Sequence, residues 1–539
     1  MSVILGALSG CREEPSATPC EDLARLQLPD TTVTRAETVA AGAFVPPKDF
    51  PWPGGTPPED FIPYKDLPSF CRVAASIRPT ADSDIQLEVW MPEQGWNEKF
   101  AGVGNGGFWG QIMYPAMNEP LTRGYAVAST DTGHEGAVDD GSFAVGHPEK
   151  LVDHGYRAIH EMTVKAKAII AERYGDGPRQ SYWLGCSTGG RQGLMEAQRF
   201  PDDYDGISSG APANNWVPLM ASGVWITAAL TDAGGIPEAK FPVIQNAAVT
   251  ACDSKDGVTD RVIGDPTHCD FDPAVLECKG GDGPDCLTAA QVESLRKIYA
   301  GPKNPRTGEQ VFPGVEPGSE LELPVFSRFR IYENYWRQLV FNEPAWDLRA
   351  LDFDRDVARA IELEDGVLAA TEPDLTAFAA RGGKLFLWHG WNDTMITPRN
   401  TIHYYEDVVA TMGAERVKDS VRLFMLPGVL HCSGGEGAFD VDHLSVLEEW
   451  VEEGKAPDRV SLAGRSGRAP SAPGPFAPIP KSPATTARGA RTRPQIFDAR
   501  TNEDERHVVL ERGLVVEIGT TSRTEPGEGF RVCSRAARR

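Results

Sequence analysis

Basic residues are scarce relative to acidic ones in this chain. Its 53 Lys and Arg against 77 Asp and Glu leave a formal charge of −24 over 539 residues. Such a field repels phosphate backbones, which excludes nucleic acid as a partner. No run of about 18 apolar residues occurs, so no transmembrane helix is expected. Internal repeats are lacking as well. What remains, at 41% hydrophobic and 24% charged residues, is the composition of a soluble globular protein with at least one large core.

The N-terminal "VILGALSGC" has no Lys or Arg before its apolar part, and that part is short for a secretory signal. Its end, Leu8-Ser9-Gly10-Cys11, nonetheless resembles a bacterial lipoprotein processing box. Residues 1–19 are read as a truncated signal and linker, with Cys11 as the position for a lipid anchor. Cysteine is not scarce. Ten of them favour an exported protein over a cytosolic thiol protein, because disulfides persist in oxidising compartments. Spacing cannot give the connectivity, but Cys252/Cys269 and Cys278/Cys286 suit local pairs.

Beyond a Pro-rich, irregular stretch up to about residue 75, strand and helix patterns alternate. "IQLEVWMP", "KFAGV", "GYAVAST" and "SYWLG" read as strands, while "LVDHGYRAIHEMTVKAKAIIAERYG" carries apolar residues at helical spacing and closes on glycine. Such alternation predicts an α/β fold with a mostly parallel sheet covered on both faces. The rhythm breaks between 213 and 373, a loop-rich region with four cysteines and aromatic clusters such as "FSRFRIYENYW". It then resumes with "GGKLFLWHG" and "VRLFMLPGVLHC". The expected organisation is a core in two parts, 20–212 and 374–460, interrupted by an inserted domain at 213–373. A tail of different composition follows at 461–539.

The stretch "WLGCSTGGRQG" places Gly185-x-Ser187-x-Gly189 between a strand and a helix, the setting of a nucleophile elbow. A serine hydroxyl needs a base, and the base a carboxylate to orient it. In the α/β-hydrolase order the acid and then the histidine follow the serine, on loops after later strands. Asp393 in "LFLWHGWNDTMITP" and His431 in "LFMLPGVLHCSGG" meet that order. His389 precedes the acid and so is read as a pocket residue; Asp440 and Asp442 follow His431 and fail similarly. For the oxyanion, the N–H of Thr188 and one from "GNGGFWG" are expected, with Gly107 preferred to Gly106. That glycine loop lacks the Lys-Ser/Thr ending of a phosphate loop.

Cys186 directly precedes Ser187, and Cys432 directly follows His431. A bond between the two cysteines would bring their α-carbons to about 4.4–6.8 Å and hold the serine and histidine in reach. The competing reading, Cys186 as nucleophile, is set aside in favour of this staple.

The Cys-Ser…Asp…His-Cys arrangement resembles the tannase and feruloyl esterase family. The likeness runs from about Cys71 to Val460 through "FCRVAA", "WNEKFAGVGNGGFWG", "STDTGH", "GYRAIHE", "GCSTGGRQGLMEAQRFPDDYDGISSGAPANNW", "HGWNDTMITP" and "PGVLHCSGG". It implies an α/β-hydrolase fold with a large inserted lid, a Ser187–Asp393–His431 triad and a Cys186–Cys432 disulfide. The implied activity is serine carboxylesterase cleavage of a small aromatic acid ester, feruloyl or galloyl, through an acyl-enzyme. A peptidase or a lipase would not account for the paired cysteines, and the intact triad and both oxyanion loops argue against a non-catalytic phenolic- or carbohydrate-binding protein on the same scaffold. The family also contains a hydrolase of mono(2-hydroxyethyl) terephthalate, in which an aromatic clamp stands where this chain has Ile396. The substitution favours a plant phenolic ester.

Within "CDSKDGVTDRVI", Asp253, Asp256 and Asp260 surround Gly257 in a turn-prone loop. Their hard oxygens suit Ca²⁺, which takes about six to eight such ligands. No glutamate stands where an EF-hand needs its bidentate ligand. From spacing alone a solvated acidic loop is an equal reading. The resemblance implies structural calcium, with the carbonyls of Val258 and Val262 completing the set. After residue 460 the likeness lapses. "GRSGRAPSAPGPFAPIPKSPATTARGARTRP" reads either as a basic, Pro-rich disordered tail or as the product of a frame slip, since shifted codons permit an ending of the family type.

Overall fold

The computed structural model describes residues 18–47, 63–364 and 366–463, together with the backbone of 515–519. Cys11, Cys533 and most of the 461–539 tail lie outside the described residues.

A nine-stranded sheet forms the centre of the fold. Its strands are β1 (Thr31–Val39), β2 (Phe70–Ile77), β3 (Ile85–Pro92), β4 (Lys99–Val103), β5 (Ala126–Thr130), β6 (Gln180–Cys186), β7 (Gly206–Gly210), β8 (Lys384–Gly390) and β9 (Val421–Leu426). The spatial order is β1-β2-β3-β5-β4-β6-β7-β8-β9. The first three run antiparallel, as does the β3–β5 pair; from β5 to β9 every pairing is parallel. Parallel strands need helical crossovers, which cover both faces, and this is why β5 and β7 are buried throughout. One face packs on the helices Ala158–Tyr174, Thr188–Arg199 and Pro398–Met412, and the other on Tyr114–Thr122 and His443–Glu453. The mostly parallel, doubly covered sheet is the one that the strand and helix alternation predicts, and the fold is the α/β-hydrolase fold that the resemblance implies.

Between β7 and β8 the chain leaves the sheet and builds a second, largely helical core. The helix Trp216–Thr231 is apolar nearly all round (WVPLMASGVWITAALT), so it must be covered on every side. One side enters the core of this insertion, and Trp216, Leu219 and Met220 also wall a cavity above the sheet. Cys252–Cys269 and Cys278–Cys286 are disulfides within the insertion. A further bond, Cys20–Cys71, ties the N-terminal segment to β2 and was not anticipated from spacing. A small sheet joins β10 (Asp440–Val441), β11 (Arg459–Ala463) and β12 (Val515–Gly519). The tail thus contributes a strand where composition suggested none.

Candidate active site

The turn from β6 into the helix Thr188–Arg199 puts Ser187 at φ 63°, ψ −122°, a backbone conformation that a non-glycine residue holds only where its surroundings over-determine it. Those surroundings are close. The Ser187 N–H donates to the Gly210 carbonyl (2.9 Å), and the Ser187 carbonyl accepts from Arg191 N–H (3.0 Å) and Ala213 N–H (3.1 Å). A Cβ on Gly185 would lie 2.3 Å from the Gly189 carbonyl oxygen, so the glycine is required there. The turn lifts the serine hydroxyl above the sheet edge at the N-terminus of the helix, whose first N–H groups have no intrahelical acceptor.

Facing it is the glycine loop after β4. Asn105 anchors that loop: its N–H donates to Gln192 Oε1 (3.0 Å), and its Nδ2 donates to the Gln111 (3.0 Å) and Thr130 (2.9 Å) carbonyls. Gly107 has φ +50°, and a Cβ there would sit 2.3 Å from the Val138 carbonyl oxygen. Thr188 Oγ1 donates to the Gly107 carbonyl (3.0 Å), tying this loop to the elbow. Among the described residues the N–H groups of Gly106 and Gly107 meet no acceptor.

Asp393 follows β8 and is fully buried. Its Oδ1 accepts from the N–H groups of Met395 (2.9 Å) and Ile396 (3.0 Å), and its Oδ2 lies 2.7 Å from His431 Nδ1. Burial alone would raise this carboxyl's pKa. The His431 charge and the bonds from His389 and His431 outweigh it and hold the pKa below the usual carboxylate range. For His431 the balance is reversed: burial disfavours the cation, but Asp393 and then Glu322 favour it, and the pKa lies above that of a free histidine.

His389 is not the pocket residue expected from its position in the sequence. It is wholly buried behind Asp393, with Nε2 3.1 Å from Asp393 Oδ2 and 2.8 Å from the Ile396 carbonyl, and Nδ1 2.8 Å from Thr401 Oγ1. Two acceptors at Nε2 require the proton there, so the ring donates to the carboxylate that His431 also uses. Asp442 caps the helix His443–Glu453 by accepting from Ser445 N–H (3.0 Å), and Asp440 lines the cavity.

Cys186 and Cys432 are bonded, with α-carbons 5.9 Å apart across a sequence separation of 246. The bond holds the elbow against the histidine loop, and Ser187, Thr188, Gly107 and His431 line one cavity of about 330 Å³. The Ser187 hydroxyl and the His431 ring are not hydrogen-bonded in this state, as is common before substrate tightens a site. Trp216, Leu219, Met220, Phe329, Tyr332 and Met395 form an apolar wall.

A tannase and feruloyl esterase family model matches residues 71–497. The chain belongs to the tannase and feruloyl esterase family. It is 39% identical over 494 residues to an uncharacterised esterase of Xanthomonas campestris, covering 82% of this chain and 84% of that one. A probable feruloyl esterase B-2 of Aspergillus flavus is 35% identical over 418 residues, with 72% and 79% covered. Among solved structures, feruloyl esterase B from Aspergillus oryzae superposes with a TM-score of 0.75 at 30% identity, over 81% of this chain and 91% of that one. Tannin acyl hydrolase from Aspergillus niger shares the fold, with a TM-score of 0.68 at 24% identity over 80% and 85%. The protein is a carboxylic ester hydrolase.

Two features of this esterase had no signal in its sequence. Glu322, on the insertion, accepts hydrogen bonds from both the acid and the histidine loops. His443 lines the cavity, stacks on Trp388 at 5.1 Å and has Nδ1 3.1 Å from Ser208 Oγ; burial pushes its pKa down to about 4, leaving it neutral. The aromatic cluster "FSRFRIYENYW" did mark Phe329 and Tyr332 as notable, though not as cavity walls.

In the acidic loop of the insertion, each carboxylate turns onto N–H groups of its own segment. Asp253 accepts from Asp260 and Arg261, Asp256 from Val258 and Gly264, and Asp260 from Val262. Gly257 makes the turn at φ +91°. The three side chains do not converge on one point. Among the described residues none of them has a Lys, Arg or His within ion-pair distance. Burial, with the Asp253 charge adding to it, raises the pKa of Asp256 and Asp260. Three hard oxygen donors without a basic partner are a donor set that suits a divalent cation.

Proposed function

We propose that this esterase hydrolyses esters of aromatic acids through an acyl-enzyme on Ser187. The observation that carries the reading is the 2.7 Å contact between Asp393 Oδ2 and His431 Nδ1, in the wall of the cavity into which the Ser187 elbow projects. His431 Nε2 takes the serine proton as Oγ attacks the ester carbonyl, and the N–H groups of Thr188 and Gly107 hold the oxyanion. The tetrahedral intermediate then collapses, and the alcohol leaves with the proton from His431. Water, deprotonated by the same histidine, releases the acid and restores the serine. Asp393 fixes the tautomer and stabilises the imidazolium, without itself becoming protonated.

Phenolic acids are flat, and the cavity's Trp216, Phe329 and Tyr332 offer aromatic surface for them. Support for feruloyl or galloyl esters comes from the family and from the relatives' names. Ile396, which also lines the cavity, offers no aromatic clamp for a terephthalate ring. The insertion serves as a lid, since it supplies much of the cavity wall. Calcium in its acidic loop, held by Asp253, Asp256 and Asp260 with the Val258 and Val262 carbonyls, would neutralise the carboxylates and brace the lid away from the chemistry. Four disulfides favour export to an oxidising compartment.

Labelling with a fluorophosphonate tests the nucleophile. The adduct should map to Ser187 and vanish in Ser187→Ala; an adduct on another residue contradicts the assignment.

A further inference from the structure

The insertion reaches the loops that carry the acid and the base of the proposed triad through a carboxylate. Glu322 lies in the short helical segment Glu320–Ser327, remote in sequence from both loops that it touches. Its Oε2 accepts from the N–H of Thr394 (2.9 Å) and from Thr394 Oγ1 (3.1 Å), directly beside Asp393. Its Oε1 accepts from the backbone N–H of His431 (3.4 Å). One side chain of the insertion therefore bridges the acid loop and the histidine loop, while the disulfide bridges the serine and histidine loops.

Among the described residues Glu322 has no Lys or Arg as ion-pair partner. The titratable groups around it are Asp393 on the acid loop, His431 on the histidine loop and Tyr332 on the segment Ile331–Asn334, whose hydroxyl donates to the Met395 carbonyl (2.9 Å). A second carboxylate at this site is costly unless a cation develops nearby. The cation that develops is the His431 imidazolium, formed each time the serine is deprotonated.

We propose that Glu322 is a positioning residue of the hydrolase, fixing the Asp393 and His431 loops against each other and adding a second negative charge that favours the imidazolium. The inference rests on the triad reading above and extends it, because it makes the insertion part of the acid–base machinery as well as the cavity wall. Burial, and then the charge of Asp393, push the pKa of Glu322 above the usual carboxylate range, while the Thr394 and His431 N–H groups and the His431 charge favour its ionised form.

The test is the pH dependence of kcat and KM for methyl ferulate, measured with the full chain and with Glu322→Gln, Glu322→Asp and Ser187→Ala. Other contacts keep the insertion docked on the acid loop, namely Asn392 Nδ2 to the Gly318 carbonyl (2.5 Å), Tyr332 to Met395 and the Arg399–Glu316 ion pair. Glu322→Gln should therefore fold. Its kcat should fall about tenfold with KM within about twofold, and the acid limb of kcat/KM should move down by roughly half to one pH unit. Glu322→Asp keeps the charge, so its acid limb should stay near that of the parent even where kcat is reduced.

An unmoved limb in Glu322→Gln, or a loss expressed in KM alone, overturns the inference. A limb displaced equally in Glu322→Asp and Glu322→Gln does the same. Ser187→Ala separates the two claims. Loss of turnover there, with an unmoved limb in Glu322→Gln, overturns the positioning role alone; turnover retained in Ser187→Ala overturns the triad reading and this role with it.

Discussion

Cys186 and Cys432 flank the two residues of the proposed nucleophile–base pair, one immediately before Ser187 and the other immediately after His431, and they are covalently joined with α-carbons 5.9 Å apart. Cys432 itself sits at φ 63° and Ser187 at the same value, so both ends of the staple meet tightly turned backbone. A loop of this length constrains the unfolded chain by about 5 kcal/mol in the chain-entropy model. The bond also sets how far the histidine loop can drift from the elbow.

Selective loss of this bond should therefore act on rate and on stability together. In Cys186→Ala/Cys432→Ala the thermal midpoint should fall and kcat should drop at temperatures where the protein is still folded. Turnover and midpoint both equal to the parent's would contradict the staple's role.

Gly107→Ala tests the oxyanion loop. The added Cβ would press on the Val138 carbonyl in a backbone region that disfavours it, displacing the N–H proposed to hold the oxyanion. Losing one oxyanion donor costs about 10²–10³ in kcat. Steady-state kinetics on methyl ferulate should show that loss mainly in kcat, and an unchanged kcat would remove Gly107 from the mechanism.

In the proposed mechanism, activity requires neutral His431. Because Asp393 and Glu322 outweigh burial and raise its pKa, the sign is fixed: kcat/KM falls as the pH drops through that raised pKa. The acid limb should have its midpoint above about 6.5, the value of a free histidine. A midpoint below it would contradict the electrostatics described for the site.

Calcium in the acidic loop predicts a division between stability and chemistry. Treatment with EDTA should lower the thermal midpoint, and added Ca²⁺ should restore it. At a temperature where the chelated protein stays folded, kcat should be unchanged. A midpoint indifferent to EDTA and to Ca²⁺ would return the loop to the solvated reading.

Much of this architecture was legible because it depends on local pattern. Alternating strand and helix periods, an elbow between them and glycines that leave no room for a Cβ specify the sheet and the serine turn within a few residues of sequence. The order Ser187, Asp393, His431 follows from topology, since each stands at the C-terminal end of a parallel strand. Glu322 could not be found that way. Its partners lie 72 and 109 positions distant, and "ELELP" carries no motif. His389 misled for a related reason: position beside Asp393 does not say which face of the loop a ring takes, and the ring turned inward to the Thr401 hydroxyl. The Cys20–Cys71 bond was equally hidden, because pairing depends on where an N-terminal segment lies against β2.

The most direct test of the central claim is hydrolysis of methyl gallate, methyl ferulate, methyl p-coumarate and mono(2-hydroxyethyl) terephthalate, each with the parent chain and with Ser187→Ala. The account predicts turnover of one or more of the plant phenolic esters and a loss of at least about 10⁴-fold in the variant, whose thermal midpoint stays near the parent's. Turnover that survives in a folded Ser187→Ala would contradict it.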